Sequence, residues 1–175
     1  MAQSHNLPRL ALSVRQPWAW AIIYAGKDIE NRSWQAVNHG LNVRGRIAVH
    51  AAKGMTRDEF EDAAEFMATL GVKCPAPHLL DRGGIIGSVD VTGVVTAHDS
   101  PWFFGPRGLV LCRPEPCVLI PARGALGYFE WKKGYPHELP LPSRWMLPPE
   151  LQPAKGKPGS AVTAGTGPDA QGSLF

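Results

Sequence analysis

Punctuation is the strongest constraint on this chain. From Leu10 to about Lys133 the apolar residues come in short runs, cut by proline and glycine, and one long helical pattern interrupts them. "LALSVRQP" alternates loosely and stops at a proline. "DIENRSW" sets Ile29, Asn31 and Ser33 against Glu30, Arg32 and Trp34, a two-residue period. "RGRIAVHAA" reads as a clear strand. "GGIIGSVDVTGVVTAHD" is strand again, with bends or bulges expected at Gly87 and Gly93. "GLVLCRPEPCVLIP" and "ALGYFEWK" add two short strands. About six strands and two principal helices, without the strand–helix–strand alternation of a parallel sheet, predict an α+β, mainly β fold. Its sheet is small, strongly bent and closes into a barrel.

The two helices are legible from their ends. In "PWAWAIIYAG", Pro17 suits the first helical position and Gly26 the residue just past the last. Nearly every residue between is apolar, so this helix is expected to be buried. In "TRDEFEDAAEFMATLG", Thr56 and Glu59 make a capping box, acids fill the first turn and Gly71 ends the helix. Phe60, Ala63, Ala64, Met67 and Leu70 share its apolar face.

A chain of 175 residues accommodates one domain of this kind. Residues 1–9 read as a flexible N-terminus, 10–148 as the barrel domain and 149–175 as a disordered tail. In that tail "PAKGKPGSAVTAGTGPDA" has no large hydrophobe and no period. No apolar run is long enough to span a membrane, and "MAQSHNLPR" lacks the basic start and apolar stretch of a signal peptide. Cys74, Cys112 and Cys117 are an odd number without zinc-ligand spacing. They read as reduced thiols in a cytoplasmic protein that uses no metal and no cofactor.

The net charge of +3 is modest, but its distribution is uneven. Seven basic residues (Arg9, Arg15, Lys27, Arg32, Arg44, Arg46 and Lys53) face two acids between Arg9 and Lys53. The next stretch, Gly54–Leu70, is acidic, with Arg57 against five carboxylates. An anionic partner is therefore expected to meet the first third of the chain.

"LSVRQPWAWAIIYAGKDIENRSW", "RGRIAVHAAK", "GGIIGSVDVTGVV" and "RGALGYFEW", in that order over about residues 10–133, carry a resemblance. Together they are similar to the ASCH domain, the activating-signal-cointegrator homology domain of the PUA-like barrel group. The family signature Gly-x-Lys-x-x-Glu-x-Arg is met by Lys27, Glu30 and Arg32, with Gly26 displaced by one position. The resemblance implies a β-barrel with a cleft beside the helix that follows the first strand, binding RNA, DNA or nucleotides. Some small bacterial members are amidohydrolases acting on N4-acetylcytidine, and some relatives cut RNA. The amidohydrolases pair Lys-x-x-Thr with a distant glutamate, and here Glu30 stands in the threonine's place. If the chain is an enzyme, the resemblance makes Lys27 and Glu30 its catalytic pair, positioning a water instead of supplying a hydroxyl.

The residues support a binding site on their own terms. Glu30 and Arg32 share one strand face, and a carboxylate between two cations can hold both while leaving donors for a phosphate or a base carbonyl. Arg15 and Gln16 can donate in planar fashion to base edges or phosphates, or tie down the strand–helix turn. Trp34 is the better base-stacking candidate and Trp18 the better core residue, although both offer a flat face. Arg46 joins the positive sector. His50 at a strand end, with Lys53 after it, reads either as structural or as part of the site. Asp90 is expected to be buried against an arginine. No Ser-His-Asp order and no phosphate-binding glycine loop is evident.

The chain ends on "QGSLF". Gln171, Ser173, Leu174 and Phe175 resemble the pentapeptide by which bacterial replication and repair proteins dock on the sliding clamp, with Gly172 departing from it. A linker of about 20 flexible residues has an end-to-end distance of about 25 Å. That would hold the barrel near DNA passing through the clamp. The expectation is an RNA- or DNA-associated binding protein, with a hydrolase or a clamp-tethered adaptor as the other readings.

Overall fold

The computed structural model describes residues 6–33, 40–134 and 137–153. The expected mainly β fold is present as one six-stranded, curled half-barrel sheet of order β2-β5-β4-β3-β1-β6, accompanied by two helices. The strands are β1 (Leu10–Val14), β2 (Ile29–Arg32), β3 (Gly45–Ala51), β4 (Gly84–Val95), β5 (Arg107–Pro121) and β6 (Tyr128–Glu130). The helices are α1 (Trp18–Tyr24) and α2 (Arg57–Thr69).

Helix α1 lies against the sheet and shares a core with it. Ala19, Ile22 and Ile23 pack with Leu12 and Val14 of β1, Ile47 and Val49 of β3, and Leu109 and Leu111 of β5. Pro17 stands just before the helix rather than at its first position, and offers no side-chain cap. Gln16 substitutes: its Oε1 accepts the Trp20 amide at 2.9 Å and its Nε2 donates to the Asp81 carbonyl at 2.7 Å. Gly26, at φ +71°, takes the left-handed conformation that ends helices, and the Lys27 amide reaches back to the Ala21 carbonyl at 3.1 Å. The chain is thereby turned so that Lys27 enters the interior as β2 begins.

Helix α2 has the capping box the sequence encodes, with Thr56 Oγ1 accepting the Glu59 amide at 3.2 Å and Glu59 Oε2 accepting the Thr56 amide at 2.8 Å. Gly71 closes it with bonds from Gly71 N to Ala68 O and from Val72 N to Met67 O, at 3.0 and 2.9 Å. Ala63 and Met67 meet Ala21, Ile29 and Trp102, while Phe60 reaches a small cluster around Met55, Leu80 and Met146.

The long β4–β5 hairpin bends where glycines were expected to bend it, with register shifts between Ile85 and Gly87 and between Val91 and Gly93. At Gly87 the constraint is close approach. A Cβ there would stand 2.5 Å from the Glu115 carbonyl oxygen and 2.8 Å from Ile23 Cδ1. "GLVLCRPEPCVLIP" is longer than its prolines suggested, forming most of the single strand Arg107–Pro121. Pro114 falls inside the register shift between Ser88 and Asp90, and Pro116, opposite Gly87, stands at the edge of the next shift, positions where a strand tolerates proline.

Sequence periodicity did not anticipate one pairing. β1 runs parallel to β3, with Leu12 opposite Val49, Ser13 opposite His50 and Val14 opposite Ala51. The other pairings are antiparallel. β2, at one end of the order, comes back against β1 and β6 at the other through side chains. Arg32 Nη2 of β2 donates to the Ser13 carbonyl of β1 at 3.0 Å, and its charge is felt by Tyr128 of β6, whose hydroxyl burial pushes up to about 12. β6 pairs only with Leu10–Leu12, so Ser13 lies beyond its end and its carbonyl is open to Arg32.

Candidate functional site

The parallel register brings Ser13 beside His50, and Ser13 Oγ lies 2.9 Å from His50 Nδ1. His50 is 1% exposed, and its Nε2 lies 2.8 Å from the Ala122 carbonyl. A carbonyl only accepts, so Nε2 carries the hydrogen and Nδ1 accepts from the serine hydroxyl. Around the pair is a cleft of about 410 Å³ lined by Ser13, His50, Ala52, Lys53, Gly83, Ala122, Arg123, Gly124 and His137. No carboxylate is among these residues. Lys53 and Arg123 are exposed, and among the described residues no ion pair engages either.

Gly124 is there for space. A Cβ on it would stand 2.7 Å from His50 Cε1, 3.2 Å from Nδ1 and 3.3 Å from Ser13 Oγ. The backbone after β5 passes directly over the serine–histidine pair, and any side chain at this position would collide with it.

Behind the cleft runs a polar relay. Lys27, 3% exposed, donates from Nζ to Glu30 Oε2 at 2.9 Å and to the Ile29 carbonyl. Glu30 Oε1 then holds Arg32 Nη2 at 3.1 Å, and that nitrogen reaches the Ser13 carbonyl. Lys27 also lies 5.9 Å from the Trp18 ring centroid. Glu30 and Arg32 thus share a strand face as the alternation suggested, and Lys27, just before β2, joins them. They face one another in the interior, however, and their donors are directed at a carboxylate and backbone carbonyls.

The other candidates disperse. Arg15 donates to Glu59 Oε2 at 2.5 Å, and its guanidinium lies beside the loop at Gly54, where a Cβ would be 3.3 Å from Nη1. That contact, with the Thr56 bonds, holds the Glu59 carboxyl below the usual range. Gln16 is spent on backbone. Trp18 sits in an aromatic cluster, 6.4 Å edge-on to Trp102 and 6.0 Å from Phe66. Arg46 lies at the start of β3 and lines a separate cleft with Ser88, Glu115 and Cys117. There it bonds Asp90 Oδ1 at 3.2 Å and Glu115 Oε2 at 2.8 Å. Asp90 is buried between Arg46 and Arg113, as its position suggested, and the hydrogen bond from Arg113 is the main cause of its lowered pKa. Trp34 and the tail residues Gln171, Ser173, Leu174 and Phe175 lie outside the described residues. Ser13, Arg123 and His137 were not singled out from the sequence. Ser13 and His50 are 37 positions apart, and only the parallel pairing makes them neighbours.

Burial holds the His50 pKa below its ordinary 6.5, the Ala122 bond opposes this, and the charge of nearby His137 adds to the lowering. The unfolded chain therefore binds a proton at His50 more readily than the native state does. The stability this contributes is complete above pH 6.5 and is lost as the pH falls from there toward the native value. Between about pH 7 and pH 5, wild type should lose more stability than His50→Gln, which keeps a donor and an acceptor but does not titrate. Urea unfolding at a series of pH values checks this, and parallel pH profiles for the two proteins would contradict it.

Among the described residues no helix is long and apolar enough to cross a membrane. The three thiols are free, and burial pushes that of Cys74 up to about 11. Comparison with curated proteins returns no match. Comparison with protein families returns the ASCH domain, matched over residues 12–137. That span takes in β1 from Leu12 onward, β2 through β6, the Lys27–Glu30–Arg32 relay and every residue lining the Ser13–His50 cleft. The match covers well over half of the chain, which therefore belongs to the ASCH domain family.

Proposed function

We propose that this protein binds a phosphate-bearing ligand, an RNA or DNA strand or a nucleotide, in the cleft over Ser13 and His50. The observation that carries the reading is the lining itself. Lys53, Arg123 and His137 surround a hollow with no carboxylate in it, while the neighbouring acids Glu30 and Glu59 are each engaged by an arginine. Exposed, unpaired cations beside a concave surface are what phosphate recognition uses, and each phosphate contact adds to the salt dependence of binding. The Lys27–Glu30–Arg32 relay acts on this site from behind. It fixes the Ser13 backbone and leaves contact with the ligand to Lys53 and Arg123. Arg15, beside Gly54, is the next cation a longer strand would meet.

The reading is tested by fluorescence anisotropy with short single-stranded RNA and DNA of one sequence, at about 50 and 200 mM salt. The double variant Lys53→Ala, Arg123→Ala should bind at least about tenfold more weakly. Its plot of log affinity against log salt should be shallower by about two, one for each lost phosphate contact. Indistinguishable affinities and slopes for wild type and the double variant would remove the cleft as the binding site. A preference for RNA over DNA would be read from the same titrations.

A further inference from the structure

We propose that Ser13 and His50 are a nucleophile and its general base, and that they hydrolyse an acyl ester carried on a phosphate-bearing alcohol. The phosphate in this statement rests on the cleft reading above. The nucleophile–base pair rests on geometry alone.

The tautomer is the decisive point. With Nε2–H committed to the Ala122 carbonyl at 2.8 Å, Nδ1 turns its lone pair to the Ser13 hydroxyl at 2.9 Å. This is the protonation state in which a histidine can take a proton from a nucleophile, and the carbonyl on its far side orients the ring and steadies the charge that develops. The arrangement is held from several directions. The parallel register fixes the two backbones. Arg32 grips the Ser13 carbonyl at 3.0 Å, and Phe129 meets the imidazole edge-on with ring centroids 5.5 Å apart.

The pair also faces open space. Both residues line the cleft, Ser13 is partly exposed, and at position 124, where the backbone passes close over the pair, glycine adds no side chain to shut Oγ in. A serine–histidine bond that only stabilised the fold would need no hollow beside it. Burial, which lowers the histidine's pKa, keeps the base neutral at physiological pH.

The chemistry balances without a further reactant except water. Ser13 Oγ adds to the acyl carbon as its proton passes to His50 Nδ1. The adduct collapses by breaking the bond to the alcohol oxygen, which takes that proton and leaves. Water then adds to the acyl-serine, giving its proton to Nδ1. Collapse releases the carboxylic acid and returns the proton to Ser13 Oγ.

The test uses the full chain and a fluorophosphonate probe, which traps an activated serine covalently. Intact mass and peptide sequencing should place one adduct on Ser13, with the rate falling at acidic pH as His50 is protonated. His50→Gln preserves a donor toward Ala122 and an acceptor toward Ser13 but cannot take the proton, and should be labelled about a hundredfold more slowly. Circular dichroism establishes that the variant is folded. No adduct on wild type, an adduct on another residue, or equal rates for wild type and His50→Gln would overturn the proposal.

Anisotropy on the same samples separates the two readings. Binding of the strand without labelling of Ser13 leaves the cleft as a recognition site and removes the catalytic pair. Turnover supplies the substrate class: a 2′(3′)-O-acetyl nucleoside monophosphate should be hydrolysed in preference to uncharged 4-nitrophenyl acetate. The reverse preference would overturn the phosphate-bearing substrate.

Discussion

Replacing Lys27 with alanine is expected to lower the free energy of unfolding by about 3 to 5 kcal/mol, the cost typical of removing one partner from a buried ion pair. The ammonium is enclosed, with Glu30 on one side and the Ile29 carbonyl on another. Truncation leaves Glu30 facing Arg32 alone and strips the Ile29 carbonyl of this donor. Urea unfolding of wild type and Lys27→Ala measures the difference. Lys27→Met, which keeps most of the stem, separates packing from charge and should fall between the two. A loss below about 1 kcal/mol, the range of exposed pairs, would mean that the lysine stands in water and that the interior relay is misread. The result also bears on function. A site residue in contact with ligand should change affinity with modest effect on stability, whereas a residue of the relay should do the opposite.

Trp102→Ala should be comparably costly, by about 3 to 5 kcal/mol. Its ring is 5% exposed and meets Trp18 edge-on at 6.4 Å and Phe66 at 5.6 Å between centroids. Its backbone carbonyl accepts from Asn31 Nδ2 at 2.8 Å. The side chain therefore fills the space where α1, α2 and the start of β2 converge, and an alanine leaves a cavity among rigid rings that cannot collapse into it. The substitution should lower the thermal midpoint by several degrees. Nucleic-acid affinity, measured well below the new midpoint, should stay unchanged, because none of these rings lines the cleft. An unaltered midpoint would show that the cluster is not the packed centre described here.

The fold was legible to the extent that its signals were local. The capping box at Thr56 and Glu59, the glycine stops at Gly26 and Gly71 and the bends at Gly87 and Gly93 each depend on a few adjacent residues, and each is found in place. The length of β5 is hidden because proline reads as a break, although Pro114 and Pro116 fall at or beside register shifts in the pairing with β4. The β1–β3 pairing was missed for a different reason. Alternation gives a strand's faces but not its neighbour, and about 30 residues separate these two strands without a crossover pattern to announce them. The site was legible in the same proportion. Lys27, Glu30 and Arg32 were legible because Glu30 and Arg32 share one short strand and Lys27 stands just before it. Their role was harder to infer, since sequence says that charges are near one another but not whether water reaches them. Ser13, Arg123 and His137 come from three separate segments and become a group only when the sheet curls.

Glu59 ties Arg15, the residue after β1, to the first turn of α2. One oxygen of that carboxylate takes the Thr56 amide, the Thr56 hydroxyl and Arg15. An anion that draws Arg15 toward the cleft would therefore remove a cation from the group that fastens the first turn of α2. Occupancy would reach that turn as slackening of its leading end, a response transmitted by a shared acceptor without any movement of the sheet.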